Sequence, residues 1–149
     1  MAEAIRPGLH GLKALVIGVA NEHSIAWGCA KAFRIAGAEL GITWLNEKSR
    51  PYVEPLAKDV EASITAPLDV AVPGQLEAVF DLVRSRWGKL DILVHSIAFA
   101  PKEDLQGGIL DCSAEGFSKA MDVSCHSLVR MAKLAAPLMT DGGTMFAMS

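Results

Sequence analysis

Strand-like and helix-like patterns of apolar residues alternate along the whole chain. Continuous apolar runs rich in β-branched residues at Leu12–Val19, Ala38–Leu45 and Leu90–Ala100 predict strands that are buried on both faces. Shorter runs near Ser63–Pro67 and in the closing GGTMFAMS predict two more strands. Because helical patterns separate all of these runs, the sequence predicts an α/β fold, a doubly wound parallel sheet with helices on both faces and right-handed crossovers.

The intervening segments carry the signals of helices. Ser24 is a good N-cap for a first helix that Gly37 ends, and a polar helix is expected around Pro51–Val60. A stripe of apolar residues at helical spacing marks the third helix; it consists of Leu76, Val79, Phe80 and Val83. Ser113 caps a fourth, long helix that is predicted to end near Met139.

This fourth helix, residues 113–139, is apolar on more sides than one sheet face can cover. One apolar face is predicted to consist of Phe117, Met121, Cys125, Leu128, Ala132 and Ala135, with Val123, Met131, Leu134 and Leu138 beside it. A second apolar cover would have to come from another subunit. The pattern therefore predicts self-association through this helix.

Composition narrows the function classes. The 149 residues carry a net charge of −3 with cations and anions interspersed, which argues against a nucleic-acid surface. No run of 18 apolar residues suits a membrane span, and no cluster of acidic residues, His or Cys predicts a metal site. The start, MAEAIRPGLHG, is expected to be a loose leader and not a secretory signal. Three cysteines, Cys29, Cys112 and Cys125, are expected to be small apolar fillers in a reducing compartment, which favours the cytoplasm.

The most informative stretch is GVANEHSIAWG, which joins the first strand to the first helix. Gly18 would let a phosphate approach the backbone, and Ser24 and Ile25 would offer a hydroxyl and an N–H at the helix N-terminus. Gly28 would let the helix pack closely on the sheet. The glycines match neither G-x-G-x-x-G nor the P-loop. A nucleotide site and a plain turn are thus both open on this stretch alone.

Two other strand ends favour the nucleotide site. Asp69 and Val70 follow the third strand, where a carboxylate can meet an adenine amino group and a valine can cover the ring. Ser96, Ile97 and Ala98 leave the fourth strand with small residues beside a bulky one, which suits a flat ligand. Ligands of doubly wound sheets bind at such carboxyl ends.

Four stretches together, GVANEHSIAWG, LDV, HSIAFAP and GFSKAMDVSCHSLVRMAK, resemble the bacterial enoyl-acyl-carrier-protein reductases, a divergent branch of the short-chain dehydrogenase/reductase family. The resemblance implies a Rossmann-type fold, reduction of an enoyl thioester on acyl carrier protein by NADH, with NADPH left open, and a homotetramer. It places Gly18, Ser24 and Ile25 at the pyrophosphate and ribose, and Asp69 and Val70 at the adenine. Ser96, Ile97 and Ala98 would border the cofactor, and Ala100 would touch the substrate.

Departures from the family pattern matter as well. The family commonly has Gln where this chain has Leu45, a cofactor-site position that here cannot hydrogen-bond the adenosine ribose. Glu47 would repel a 2′-phosphate while Lys48 and Arg50 could attract one, and NADH is favoured. The family's catalytic Tyr and Lys are expected beyond the fifth strand. The only tyrosine here is Tyr52, in the second helix, so no catalytic residue is assigned.

The resemblance also bears on domain organisation. Residues 1–149 are expected to form a single dinucleotide-binding domain, the N-terminal portion of a larger reductase, which alone should not reduce an enoyl substrate. A carbonyl-reducing short-chain dehydrogenase and a nucleotide-binding module without catalysis are the alternatives.

His95 is expected to be a buried histidine with a satisfied hydrogen bond, and Ser124 a small residue without a special role.

Overall fold

A computed structural model describes residues 8–149; the predicted leader lies largely outside this range, in residues 1–7. Five parallel strands form one sheet. Their bounds are β1 Lys13–Ile17, β2 Glu39–Trp44, β3 Ile64–Pro67, β4 Ile92–His95 and β5 Thr144–Ala147. The predicted parallel α/β sheet is confirmed, but the fourth strand ends at His95, and the predicted continuation to Ala100 is loop.

The strand order is β3-β2-β1-β4-β5. The chain moves outward from β1 through β2 to β3 and then crosses back, so β4 pairs with the other side of β1, with Ile17 opposite His95. The two halves of the sheet therefore diverge between the carboxyl ends of β1 and β4. This is the topological switch point at which doubly wound sheets bind ligands.

Helices alternate with the strands, as predicted. They are α1 Ile25–Ile35, α2 Arg50–Asp59 and α3 Gln75–Arg86, followed after β4 by α4 Ala114–Met121 and α5 Ser127–Ala135. Short 3₁₀ turns lie at Lys102–Leu105, Ile109–Asp111 and Ala136–Leu138. Both predicted N-caps are confirmed, because Ser24 Oγ accepts from the backbone N–H of Trp27 and Ser113 Oγ accepts from that of Gly116.

The helix predicted over residues 113–139 is not continuous. Between α4 and α5 lies a π-helical segment, Asp122–His126, and the last turn is 3₁₀. A π turn changes which residues face the sheet, and the core side of this region is formed by Val123, Ser127, Met131, Ala135 and Leu138. Phe117, Met121 and Cys125 of the predicted apolar face are instead exposed, and Leu134 packs against the core.

Each face of the sheet has its own apolar core. On one face, α3 and α5 cover Leu15, Ile17 and Leu93; on the other, α1 and α2 cover Val16 and Ile42. All of these strand residues are at most 1% exposed. Burial on both faces explains why the strands are continuous apolar runs and do not alternate with polar residues.

Two smaller expectations are wrong. Gly28 is exposed on α1, and a methyl group there would meet nothing within 4 Å, so it does not serve close packing on the sheet. Among the cysteines, Cys112 and Cys125 are exposed and only Cys29 is half-buried, so two of the three are not core fillers. All three are free thiols.

Candidate functional site

The switch point brings two backbone segments into direct contact. Gly18, which follows β1, has φ +105°, and an added Cβ would lie 1.9 Å from the carbonyl oxygen of Ser96. Ser96 N donates to Ile17 O at 3.0 Å, which holds the end of β4 against the end of β1. Only glycine fits this position, both because of its φ and because of the space.

A cavity of about 550 Å³ opens at this point. Its volume is within the range typical of small-molecule and cofactor sites. Seven of the residues predicted to bind a cofactor line it, namely Gly18, Leu45, Asp69, Val70, Ser96, Ile97 and Ala98. The fold thus brings together residues from the ends of four strands that are separate in sequence.

Three predicted site residues do not line the cavity. Ser24 lies beside it, with its Oγ 3.5 Å from the backbone N of Ala20, a lining residue. The Ser24 hydroxyl donates to Asn21 O at 2.7 Å, so it must rotate before it can donate to a ligand. Ile25 is 67% exposed at the first turn of α1, and Ala100 is half-buried in the loop after β4.

The segment after β3 is held in a tight turn. Asp69 Oδ1 accepts from Ala71 N at 2.9 Å, and Asp69 N donates to the side chain of Gln75 at 2.8 Å. The second carboxylate oxygen of Asp69 accepts no hydrogen bond from the described residues and is thus free to accept one from a ligand. Val70 is only 4% exposed and lines the cavity.

The end of β2 contributes polar residues that the sequence analysis did not identify. Asn46 and Ser49 line the cavity next to Leu45. Asn46 Oδ1 accepts from the backbone N–H of Lys48 and Ser49, and Ser49 Oγ donates to Asn46 O. An Asn followed three residues later by Ser, directly after a strand, was a usable signal of this turn.

The loop after β4 is tied to the π-helical segment. Ser124 Oγ bonds both backbone groups of Phe99, accepting from N at 2.9 Å and lying 3.1 Å from O. The ammonium of Lys119 lies 5.3 Å from the centre of the Phe99 ring, and both residues line the cavity. The expectation that Ser124 has no special role is therefore wrong, since it fixes one wall of the site.

His95 is buried, as predicted. It is 2% exposed, and its Nε2 lies 2.7 Å from Ser127 Oγ. Because the single hydrogen of that hydroxyl is directed at Val123 O, at 2.7 Å, we infer that His95 Nε2 is the donor. Burial lowers the pKa of His95 below its usual 6.5, which favours the neutral ring.

The part of the chain from residue 8 onward contains no group of three or more His, Cys, Asp or Glu residues that could hold a metal ion. Within the same residues, no helix is both long and apolar enough to cross a membrane.

Comparisons with known proteins identify the family of this chain. The family model described as Enoyl-(Acyl carrier protein) reductase matches residues 18–149. "Enoyl-[acyl-carrier-protein] reductase [NADH] 2" of Rhizobium meliloti is 44% identical over 141 residues, which are 95% of this chain and 53% of that protein. The chain thus spans about half the length of the curated relatives it matches.

Solved structures of enoyl-acyl-carrier-protein reductases also superpose closely on this chain. The enoyl-[acyl-carrier-protein] reductase (NADH) of Aquifex aeolicus superposes with a TM-score of 0.88 at 41% identity, over 92% of this chain and 55% of that one. The reductase of Anaplasma phagocytophilum, solved in complex with NAD, gives 0.87 at 40% identity, over 91% and 52%. The family match covers most of the chain, and the chain therefore belongs to the enoyl-(acyl carrier protein) reductase family.

Proposed function

We propose that this chain is the dinucleotide-binding part of an NADH-dependent reductase that reduces the enoyl double bond of acyl-carrier-protein thioesters in fatty-acid biosynthesis. Residues 1–149 would be a single domain, the N-terminal portion of a larger reductase. The observation that carries the proposal is the cavity at the switch point, where Gly18 lies directly against Ser96. The family match favours enoyl reduction over the carbonyl-reducing alternative.

The residues around the cavity fit a dinucleotide. Asp69, through its free carboxylate oxygen, would accept from the adenine amino group, and Val70 would cover one face of the ring. Ser96, Ile97 and Ala98 would border the cofactor on the opposite side. Gly18 and the N-terminus of α1, with Ser24 and Ile25, would hold the pyrophosphate, because free N–H groups and the helix dipole favour anions there.

The end of β2 supports NADH over NADPH. Leu45 offers no hydrogen bond to the ribose and does not distinguish the two cofactors. The Arg50 guanidinium, however, lies 3.4 Å from a carboxylate oxygen of Glu47 and 3.5 Å from one of Glu54. The carboxylates of Glu47 and Glu54 disfavour binding of the 2′-phosphate of NADPH beside Arg50, since like charges repel. The printed name of the Rhizobium meliloti relative also specifies NADH.

The described residues bind and orient but supply no donor to the substrate. NADH, when bound, supplies the hydride. Ala100, in the loop after β4, would touch the enoyl thioester. The only tyrosine, Tyr52, is 66% exposed on α2, so we assign no catalytic residue within this chain.

Assembly and location belong to the same proposal. Phe117 and Val129 are each 60% exposed on the outer side of α4 and α5, which supports a homotetramer formed through this region. Three free thiols support a reducing compartment, the cytoplasm. The partner in the reaction would be acyl carrier protein bearing the enoyl chain, with no role for nucleic acid or membrane.

A chimera tests the proposal. This chain replaces the matching half of the Aquifex aeolicus reductase, and NADH oxidation is followed with crotonyl thioester as substrate. We expect substrate-dependent oxidation by the chimera and none by this chain alone. A folded chimera that binds NADH but does not oxidise it with the enoyl thioester would contradict the proposal and favour a module without catalysis.

A further inference from the structure

The turn after β3 has both local and distant supports. The local ones come from Asp69, which bonds Ala71 N through its side chain, and from Gln75 at the start of α3, which bonds Asp69 N. Val72 N also donates to Asp69 O at 3.0 Å. These bonds shape the turn but do not fix its distance from the rest of the sheet, because they all lie within residues 69–75.

Two hydrogen bonds to other elements do so. Leu68 N, directly before the turn, donates to Trp44 O of β2 at 2.7 Å, and the second bond connects the turn itself to α5. Arg130, on α5, donates from Nη1 to the carbonyl oxygen of Val70 at 3.1 Å, across 60 positions of sequence. The other guanidinium nitrogens, Nε and Nη2, are buried and donate no hydrogen bond to the described residues, and Nη2 lies 3.8 Å from a carboxylate oxygen of Asp122. These two nitrogens are shielded from solvent, while the Arg130 side chain as a whole is 34% exposed.

The helix that carries Arg130 is a fixed reference. Its neighbours Met131 and Ala135 are fully buried in the core between α5 and the sheet. Val70, the residue whose carbonyl is held, is 4% exposed and forms one wall of the cavity, while Ser96 and Ile97, from the end of β4, form another. The distance between these two walls is thus determined in part by the Arg130 bond.

We propose that Arg130 is a positioning residue for the adenine side of the cofactor site, acting through the backbone of Val70. This inference rests on the proposed function, in which Asp69 and Val70 contact adenine. Without this hydrogen bond, the turn keeps its local shape but is no longer bonded to α5. The distance between Val70 and the cavity wall formed by Ser96 and Ile97, where adenine would bind, then becomes variable. The nicotinamide end lies on other strand ends and does not depend on Arg130.

The test compares three ligands in wild type and Arg130→Met. Dissociation constants are measured for NADH, for AMP and for reduced nicotinamide mononucleotide, which lacks the adenosine part. We expect Arg130→Met to raise the dissociation constants of NADH and AMP equally, by about tenfold, which is the effect expected for a lost hydrogen bond from a charged donor. The dissociation constant of the mononucleotide should not change. Arg130→Lys, which keeps a charged donor, should recover most of the AMP affinity.

Lys133→Met is the matched control, since it removes an exposed cation one turn along the same helix and should change none of the three constants. If Arg130→Met does not fold, Arg130→Gln provides the same comparison. Unchanged AMP affinity, or equal losses for all three ligands, would overturn the positioning role. Failure of the wild-type chain to bind any of the three would instead overturn the proposed function.

Discussion

At the scale of single residues, the fold itself requires glycine at position 18, whichever ligand the cavity binds. Gly18 is predicted to lie at the pyrophosphate because glycine allows close approach of a ligand. The structure adds a demand of the fold itself, since any Cβ at this position would collide with the Ser96 carbonyl. A substitution such as Gly18→Val would therefore disrupt the junction of β1 and β4 and cannot isolate cofactor binding.

His95 gives a prediction for stability against pH. Because burial lowers the pKa of His95 in the folded state, the unfolded chain binds the proton more readily. The neutral ring's contribution to stability is complete above the unfolded pKa, near 6.5, and is lost as the pH falls through the lowered folded value. We expect the free energy of unfolding, from urea titrations between pH 7 and 5, to fall less steeply in His95→Gln than in wild type.

The control for this experiment is His126→Gln, because His126 is an exposed histidine in the π-helical segment. The slope of this variant should exceed that of His95→Gln, because the buried ring is still present. A slope unchanged by His95→Gln would contradict the account of the buried ring.

At the scale of elements, the region of α4 and α5 departs most from the sequence prediction. Its apolar residues fit one 3.6-residue period well enough to predict a continuous helix over residues 113–139. The π-helical segment Asp122–His126 interrupts that period, and its physical partner, the backbone of Phe99, is 25 residues away. A contact between residues so far apart in sequence does not affect the spacing of apolar residues in 113–139. That spacing alone therefore could not predict which residues face the core.

The corrected face gives a sharper test of self-association. Val129 is 60% exposed on α5, whereas Leu134 packs against the core. We expect Val129→Asp to dissociate the assembly while the melting temperature of the subunit is kept, because a charge cannot be buried in an apolar interface without cost. Leu134→Asp should instead destabilise the fold.

Light scattering and thermal melts separate these two outcomes, and Ser85→Asp, a charge at an exposed polar position of α3 outside this region, serves as the control. A wild-type chain that is monomeric at every concentration would contradict assembly through this region.

At the scale of the whole molecule, the alternation of apolar runs was enough to predict a parallel sheet covered on both faces. The pattern did not predict the strand order. Neighbouring strands such as β1 and β4 pair through backbone hydrogen bonds, and these carry no information about the side chains. The cavity followed largely from rules about strand ends, which found Gly18, Asp69 and Ser96. Those rules missed Lys119, which reaches the cavity from a helix, and placed Ser24 closer to it than the structure does.

The cavity at the switch point is proposed to bind a nicotinamide dinucleotide. Ala98 is exposed at the cavity wall, so a larger side chain there fills the site without disturbing the core. Ala32→Phe, at an exposed alanine on α1, is the matched control. The decisive measurement is the dissociation constant of NADH, from nicotinamide fluorescence, for wild type and Ala98→Phe. We expect saturable binding by wild type and by the control, and a constant raised at least about tenfold in Ala98→Phe. Equal affinity in all three proteins, or no saturable binding by wild type, would contradict the account.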